Sequence, residues 1–502
     1  MIRTSIPSRF AAIVGVAAGV AALSVGESAF AATYQVGPSK PFKQLGDVAP
    51  QLAPGDVVEV DGDATYSSVS LSKNGSPQSK ITIRGIKRNG KRPVIKGGTN
   101  TIAIHGSHYV LEGLDVTGGS ARCVFHHAND VTVRDTVVHD CPAHGILGAD
   151  TESGSLTLDR VEVYRSGEGT RKHQIYVATD ERMYPNAVFR MQHSYVHDSN
   201  GGNSVKSRAG RNEIYYNWIE GGTYHELELI GSEEFPTNLL REDSDVVGNV
   251  LRKTKGAFAV RFGGDGSGET KGRYRFVNNT VIADGGTKYI FRLFDGLESV
   301  EMHNNVFASA SATPFTLIRD VEAKWAKGHP IVTGSNNWVP TGMKTPAQWT
   351  KTIAGSDPGF VNASALDYSP ASGSALRNAG NNFPSSSSAA PFPNPLATAS
   401  FIPPSRTIQA PQTRANDGAI DIGALEVGSR QQSKRAFSLE EQLDEDEMNL
   451  AEMEAALTDA YATGEPMACS VGSGRSRSLA APTALVGFAV FAALRRRKRS
   501  RR

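Results

Sequence analysis

A short block of polar and apolar residues recurs along the middle of the chain. Its last residues are Val116, Val138, Val163, Val196, Ile219, Leu251, Ile282 and Phe307. The intervals between them run from 22 to 33 residues, and a second strand-like run follows most blocks. No long amphipathic helix interrupts this region. The pattern therefore predicts coils of short strands that repeat with loops of unequal length.

Two other repeat architectures do not fit the sequence. The chain lacks the Leu-x-x-Leu-x-Leu pattern of leucine-rich repeats, and propeller blades need about 40 residues each. An all-β, right-handed parallel β-helix remains, with coils stacked about 4.8 Å apart. Asn217, Asn249 and Asn305 share one place in the repeat and should stack as a ladder of side-chain amides.

Period-two alternation in two runs, 204–208 and 226–229, predicts which side chains face outward. The inward set is Val205, Ser207, Leu227 and Leu229, and the outward set is Lys206, Arg208, Glu226 and Glu228. Extended over the coils, the predicted outward row is His126, Gly148, Tyr176, Lys206, Glu228, Arg261 and Arg292, with His173 and His225 at its edge. This row is either a binding groove or a solvent-exposed ladder of charges.

A groove with these side chains would suit an anionic sugar polymer, because arginines neutralise carboxylates and a base can remove a proton. The candidate catalytic residues are Lys206, Arg208, Tyr176 and His173. The candidate substrate-binding residues are Arg261, Arg292, His126 and His225. Glu226 and Glu228 are candidate ligands for Ca²⁺, which prefers oxygen donors.

The chain carries 53 basic and 51 acidic residues. Without residues 1–31 and everything after Cys469, 42 basic and 50 acidic residues remain, eight of the acids between Glu440 and Glu454. The predicted folded part is thus near neutral, which argues against a nucleic-acid partner. Cys123 and Cys141 could form a disulfide or stay as two buried thiols.

The ends predict export. Residues 1–31 have the basic start, apolar run and small-residue cleavage site of a secretory signal peptide. The β-helix is expected over 32–380, a Pro/Ser-rich strap and closing segment over 381–430, and an acidic, helix-prone stalk over 431–468. The last segment, 469–502, holds a cysteine, a short apolar run that is expected to cross a membrane before the tail is processed, and an arginine block that would hold its end in the cytoplasm. A monomer at the cell surface, in the outer membrane or outside the cell is expected.

The tail resembles the C-terminal sorting signal of myxobacterial surface proteins. The body resembles the pectate-lyase-like superfamily of secreted β-helix proteins in its Ala-Pro-Gly-Asp-Val-Val segment, 53–58, and in two closing segments, 357–360 and 421–426. The run Asn203-Ser204-Val205-Lys206-Ser207 resembles chondroitinase-B-like alginate and chondroitin lyases. That resemblance implies that Lys206 removes the C5 proton of a uronic acid, with Ca²⁺ and an arginine of the next coil assisting.

The resemblance is incomplete, because the next coil offers Glu226-Leu227-Glu228 where those lyases have the arginine. The longer stretch from His173 to Leu229 resembles secreted bacterial β-helix proteins described as candidate polysaccharide-degrading proteins. Three functions stay open. The first is a lyase that cleaves an acidic, uronate-containing polysaccharide by β-elimination. The others are a non-catalytic glycan-binding protein or adhesin, and a glycoside hydrolase that uses two glutamates.

Overall fold

A computed structural model describes residues 31–231, 242–264, 272–294, 297–310, 314–319, 331–386, 392–415 and 417–428. Contacts divide the chain into two units, Met1–Gln442 and Leu443–Arg502, and every described residue belongs to the first. Except for Ala31, the predicted signal peptide lies outside the described residues, as do the stalk and the tail. No helix in the described ranges is long and apolar enough to cross a membrane.

Parallel strands on three faces wind the described chain into a right-handed parallel β-helix, as the repeat predicted. The first face comprises Thr33–Val36, Val57–Asp61, Ile81–Ile86, Tyr109–Glu112, Val131–His139, Leu156–Tyr164, Phe189–Gln192, Arg211–Tyr215, Asp243–Val247, Arg273–Val277, Ser299–His303, Ile331–Ser335 and Gln348–Thr350. The second face comprises the C-terminal parts of Val131–His139 and Leu156–Tyr164, which continue into it from the first face, together with Thr65–Ser67, Val94–Lys96, Asp115–Thr117, Tyr195–His197, Trp218–Glu220, Val250–Lys253, Thr280–Ala283, Val306–Ser309, Trp338–Pro340 and Ile353–Gly355. The third face comprises Val69–Leu71, Asn100–Ile104, Arg122–His126, His144–Gly148, Ile175–Ala178, Val205–Arg208, Leu227–Ile230, Phe258–Gly263, Tyr289–Leu293 and Thr316–Arg319.

The interior of the coil is filled by aliphatic residues from alternate strand positions. On the third face, Ile175, Val205, Leu227 and Val260 are consecutive register partners, and each is at most 1% exposed. Removing such columns from water is the main favourable contribution to folding. A helix at Leu45–Val48 and a 3₁₀ turn at Ala49–Gln51 lie at the N-terminal end of the stack and add buried residues to the same core.

A ladder of asparagine amides runs along one corner of the coil, as predicted. It is longer than predicted and contains Asn217, Asn249, Asn279, Asn305 and Asn337. At each step a side-chain carbonyl accepts the backbone N–H of the preceding rung, so these buried polar groups are satisfied. The register also corrects one repeat landmark, because Leu251 pairs with Val281 rather than with Ile282.

We expect Asn279→Ala to lower the free energy of unfolding by about 3 kcal/mol. The Asn279 carbonyl accepts from the backbone and side chain of Asn249, each at 2.9 Å, and its amide donates to the Val246 carbonyl at 2.8 Å. Each buried group left unpaired costs about 1–3 kcal/mol. Urea unfolding measures the change, with exposed Gln78→Ala as the control. Equal stability of both variants would contradict the ladder's role.

The C-terminal segment packs on the outer side of the second face. Two antiparallel pairs form it, Phe360–Asn362 with Asp367–Pro370 and Phe401–Ile402 with Gln412–Thr413, together with a 3₁₀ turn at Ala363–Ala365. Tyr368 stacks on Trp218 with ring centroids 5.7 Å apart, and Arg406 Nε donates to Glu220 Oε1 at 2.7 Å. These contacts bury a second apolar cluster outside the coil.

The two cysteines of the folded part, left open by the sequence, form a disulfide. Cys123 lies in strand Arg122–His126, and Cys141 follows strand Val131–His139. The bond therefore joins a strand of the third face to the turn that precedes the next strand of that face. Disulfides of this kind persist in oxidising compartments.

Candidate functional site

One column of outward side chains crosses the third face on consecutive coils. In register order it contains Leu147, Tyr176, Lys206, Glu228, Arg261, Arg292 and Arg319. Neighbouring strands of a sheet lie about 4.8 Å apart, so each side chain is next to the one before it. The predicted stacking of Lys206 on Glu228 is confirmed, and Glu228 lies between Lys206 and Arg261, with Arg292 and Arg319 further along the column.

Glu228 is held by groups on both sides. Arg261 Nη1 donates to its Oε1 at 3.1 Å, Asn203 Nδ2 donates to its Oε2, and Lys206 Nζ lies 4.0 Å from Oε2. The Glu228 side chain is 3% exposed and that of Lys206 12%. Charges this far from bulk water interact more strongly than they would at an open surface.

Tyr176 is oriented by two cations. Arg208 Nε donates to the Tyr176 hydroxyl at 3.1 Å, and Lys206 Nζ lies 5.2 Å from the centroid of the ring. A guanidinium that donates to a phenolic oxygen stabilises negative charge on that oxygen. The arrangement can therefore hold a hydroxyl that gives up a proton next to an amine that can receive one.

Beyond Glu228 the column continues as a row of arginines supported by aromatic rings. The Arg261 guanidinium lies 4.0 Å from the centroid of Phe294, and that of Arg292 lies 4.6 Å from the centroid of Phe258. Arg292 Nη1 also donates to the Tyr224 hydroxyl at 2.9 Å. Such ring contacts stabilise the guanidinium groups, and their fork-shaped donors suit carboxylate or sulfate groups.

A buried line of polar side chains lies behind the column. The Asn203 backbone N–H donates to His173 Nδ1 at 3.0 Å, and Asn203 Oδ1 accepts from the His225 backbone N–H at 2.9 Å and lies 3.0 Å from its Nδ1. Burial lowers the pKa of both histidines well below 6.5, assisted by Lys206 at His173 and by Arg261 at His225. Both imidazoles are therefore neutral, and the Asn203 amide connects them to Glu228.

The predicted outward position of His126 is wrong. It is fully buried with its Nε2 3.3 Å from the Gly154 carbonyl, and its neighbour Phe125 is the residue that pairs with Leu147 and points outward. The strand phase is one residue off here because both Val124 and His126 face the interior. His126 therefore does not line the column. His225 is likewise fully buried rather than at an open edge.

The predicted pairing of Glu226 and Glu228 on one outer face is also wrong. The strand begins only at Leu227, and the Glu226 carboxylate turns into the preceding bend. There it accepts from the Gly222 backbone N–H at 2.9 Å and from Ser204 Oγ at 2.8 Å. Lys253 Nζ lies 3.7 Å away, and both side chains of this pair are 0% exposed. Burial raises the pKa of Glu226, and Lys253 opposes that shift.

The structure thus brings together Tyr176, Lys206, Arg208, Glu228, Arg261 and Arg292, with His173 buried beside them. Asn203, Tyr224 and Arg319 also belong to the site and were missed by sequence reasoning. Asn203 could have been found by aligning the repeats, since it occupies the same place before its strand as His173 and His225. Nothing in the sequence marks Tyr224, because it reaches Arg292 across two coils.

Buried histidines make the stability depend on pH. Burial lowers the pKa of His126 from 6.5 to about 4. Between these values the unfolded chain binds more protons than the folded chain, so stability is complete above pH 6.5 and falls as the pH drops. When the pH falls from 7.5 to 5, the free energy of unfolding should drop by about 2 kcal/mol more in the unaltered protein than in His126→Gln. Urea unfolding at both values tests this, and an identical loss in the two proteins would contradict it.

Comparison with known proteins rests on structure alone. No protein-family model matches the chain, and no curated protein matches it. Among solved structures, pectate lyase Pel9A superposes with a TM-score of 0.50 at 13% identity, covering 79% of this chain and 96% of the other. An alginate lyase from Paenibacillus sp. str. FPU-7 has a TM-score of 0.34 at 16% identity over 60% of this chain and 97% of its own. A rhamnogalacturonan lyase has a TM-score of 0.38 at 15% identity over 67% and 92%.

The pectate lyase match is complete enough to define the fold. The match covers 96% of the solved chain. On the side of this chain it rests on the stacked parallel strands described above. The chain therefore shares its parallel β-helix fold with this pectate lyase. At this identity the likeness concerns the fold, and the chemistry has to be argued from the column itself.

Proposed function

We propose that this protein is a polysaccharide lyase that cleaves an acidic, uronate-containing polysaccharide by β-elimination. The observation that carries the proposal is the placement of Lys206 between Tyr176, which Arg208 holds, and the Glu228–Arg261 pair. In this proposal Lys206 is the proton acceptor, Tyr176 the proton donor and Arg261 the anion-binding group, and the register of one face supports it by bringing them within four successive coils.

Each proton that moves in the elimination has a donor and an acceptor. Arg261, two coils and about 10 Å from Lys206, neutralises the carboxylate of the bound uronate, which lowers the barrier to removing the adjacent C5 proton. The lone pair of Lys206 Nζ takes that proton, and the electrons of the C5–H bond form a double bond between C4 and C5. The bond from C4 to the departing oxygen breaks, and the Tyr176 hydroxyl gives that oxygen its proton. Arg208 stabilises the resulting phenolate.

The two glutamates do not fit the Ca²⁺ site expected from the resemblance. The oxygens of Glu228 are engaged by Arg261 and Asn203, and those of Glu226 by Gly222, Ser204 and the nearby ammonium of Lys253. A dication would have to displace these donors and sit beside fixed positive charges. Charge neutralisation therefore falls to the arginines and not to calcium.

The same geometry weakens the hydrolase alternative. A glycoside hydrolase needs two carboxyl groups flanking one bond, about 5–10 Å apart. Glu226 is buried in its bend and does not face the column with Glu228. Non-catalytic glycan binding would use the same arginines, and only product formation separates it from the lyase. The Cys123–Cys141 bond supports the proposal that the protein works after export.

Incubation of the purified protein with alginate, pectate, chondroitin and heparin-like polymers tests the proposal. We expect the ultraviolet absorbance of unsaturated uronates to rise with at least one of them, with or without added Ca²⁺. New reducing ends without this absorbance would show hydrolysis instead. Retention of a polymer with neither signal would overturn catalysis and leave glycan binding.

A further inference from the structure

Two histidines on consecutive coils converge at the N-terminal end of the third face. His105 directly follows strand Asn100–Ile104, and His127 directly follows strand Arg122–His126. Their Nδ1 atoms lie 3.3 Å apart, their ring centroids 5.4 Å apart, and their ring planes at 79°. His105 is exposed and His127 partly so, so that solvent and ions reach the pair.

The separation of the two nitrogens, which is also that of a hydrogen bond, equals the edge of one coordination geometry. Imidazole nitrogens bind zinc at about 2.0–2.1 Å, so two ligands of a tetrahedral ion lie about 3.3 Å apart. Adjacent ligands of a square-planar or octahedral ion at similar bond lengths lie closer, at roughly 2.8–3.0 Å. The His105–His127 distance therefore fits the edge of a tetrahedron.

A carboxylate lies beside the second nitrogen of one ring. Glu152 Oε2 lies 3.5 Å from His127 Nε2, on the side of the ring away from His105. A carboxylate there favours the proton on Nε2 and leaves the Nδ1 lone pair directed towards His105. Metal-binding histidines usually have such a carboxylate at their second nitrogen. Phe125 stacks on the His127 ring at 5.6 Å and restrains its orientation.

We propose that His105 and His127 form a surface zinc site, with Nδ1 of each ring as a ligand. Among the described residues no group of three or more His, Cys, Asp or Glu side chains could hold a metal ion. The other two positions of the tetrahedron therefore belong to water, and they are open to an oxygen ligand from outside the chain. The site lies three coils, about 14 Å, from the coil of Lys206 and does not depend on the proposed lyase activity.

Isothermal titration of the purified protein, prepared without a histidine tag, with zinc chloride at pH 7.5 tests the site. We expect one zinc ion per chain, and at least tenfold weaker binding in either His105→Ala or His127→Ala. Glu152→Gln should weaken binding about tenfold while leaving both ligands in place. His108→Asn, on the same edge but paired with Asp130, is the matched control and should bind as the unaltered protein does.

Cobalt chloride gives a second readout that does not depend on affinity. Tetrahedral Co²⁺ absorbs strongly in the visible region and octahedral Co²⁺ only weakly, so strong bands that vanish in His127→Ala support the geometry. Zinc binding that survives both alanine variants, or no zinc binding at all, would overturn the proposal. The pair would then be a hydrogen bond between two imidazoles.

Discussion

Lys206→Ala is expected to lower the rate of unsaturated-product formation by about 10³-fold. A positioned general base typically contributes 10²–10⁴-fold, and no other described amine lies beside Tyr176 in the column. Binding of the polymer should change far less, because Arg261 and Arg292 remain. The rate is measured from the ultraviolet absorbance at saturating substrate, and binding from retention on immobilised polymer.

Two further variants test whether Lys206 acts as a base or only as a positive charge. Lys206→Arg keeps the positive charge next to Glu228 but stays protonated at working pH, so it should be as inactive as Lys206→Ala. Lys172→Ala removes an exposed lysine from the turn before Tyr176 and should keep full activity. A Lys206→Arg protein with more than a tenth of the original rate would show that Lys206 acts only as a charge.

Val205→Asp is expected to prevent the β-helix from folding. Val205 is fully buried between its register partners Ile175 and Leu227, and Lys206 next to it points to the opposite side of the strand. A carboxylate in this aliphatic column would lose its hydration without gaining a partner. That penalty is several kcal/mol, of the same order as the whole stability of a typical domain.

Ser70→Asp is the matched control for that change. Ser70 lies on the same face but at an exposed outward position, between buried Val69 and Leu71. The aspartate there remains hydrated, so the variant should melt within a few degrees of the unaltered protein. Circular dichroism during heating measures both. A Val205→Asp protein that melts like Ser70→Asp would contradict the strand phase.

The fold was predictable because each coil of a β-helix carries a similar sequence pattern. One weak strand signal means little, but eight similar blocks at intervals of 22 to 33 residues define a coil. The Asn217 ladder follows from the same repetition, since a buried amide at one place must be met by an amide from the next coil. The single landmark error, Ile282 for Val281, is a shift of one residue within an otherwise correct coil.

Strand phase was less predictable at strand ends, and the site depends on it. His126 faces inward and Phe125 outward, the reverse of what hydrophobicity favours, because the Phe125 ring is covered by His105 and His127 instead of by the core. Glu226 precedes its strand by one residue and bonds within its own bend. The alternation of polar and apolar residues does not show at which residue a strand begins.

The partners of the site residues could not be obtained from sequence either. Asn203 meets Glu228 25 residues away, and Arg292 meets Tyr224 68 residues away. These distances along the chain are set by loop lengths, which vary from coil to coil. The stacked order of Tyr176, Lys206 and Glu228 was predictable because it depends only on the repeat.

The most direct test of the account is the origin of the oxygen in the product. The protein is incubated in water enriched in ¹⁸O with the polymer that gives the strongest response, and the products are analysed by mass spectrometry. β-Elimination adds no water, so we expect products with a double bond, 18 mass units lighter than hydrolysis products and free of ¹⁸O from cleavage. Products that have no double bond and have taken up one water molecule per cleaved bond would contradict the lyase mechanism.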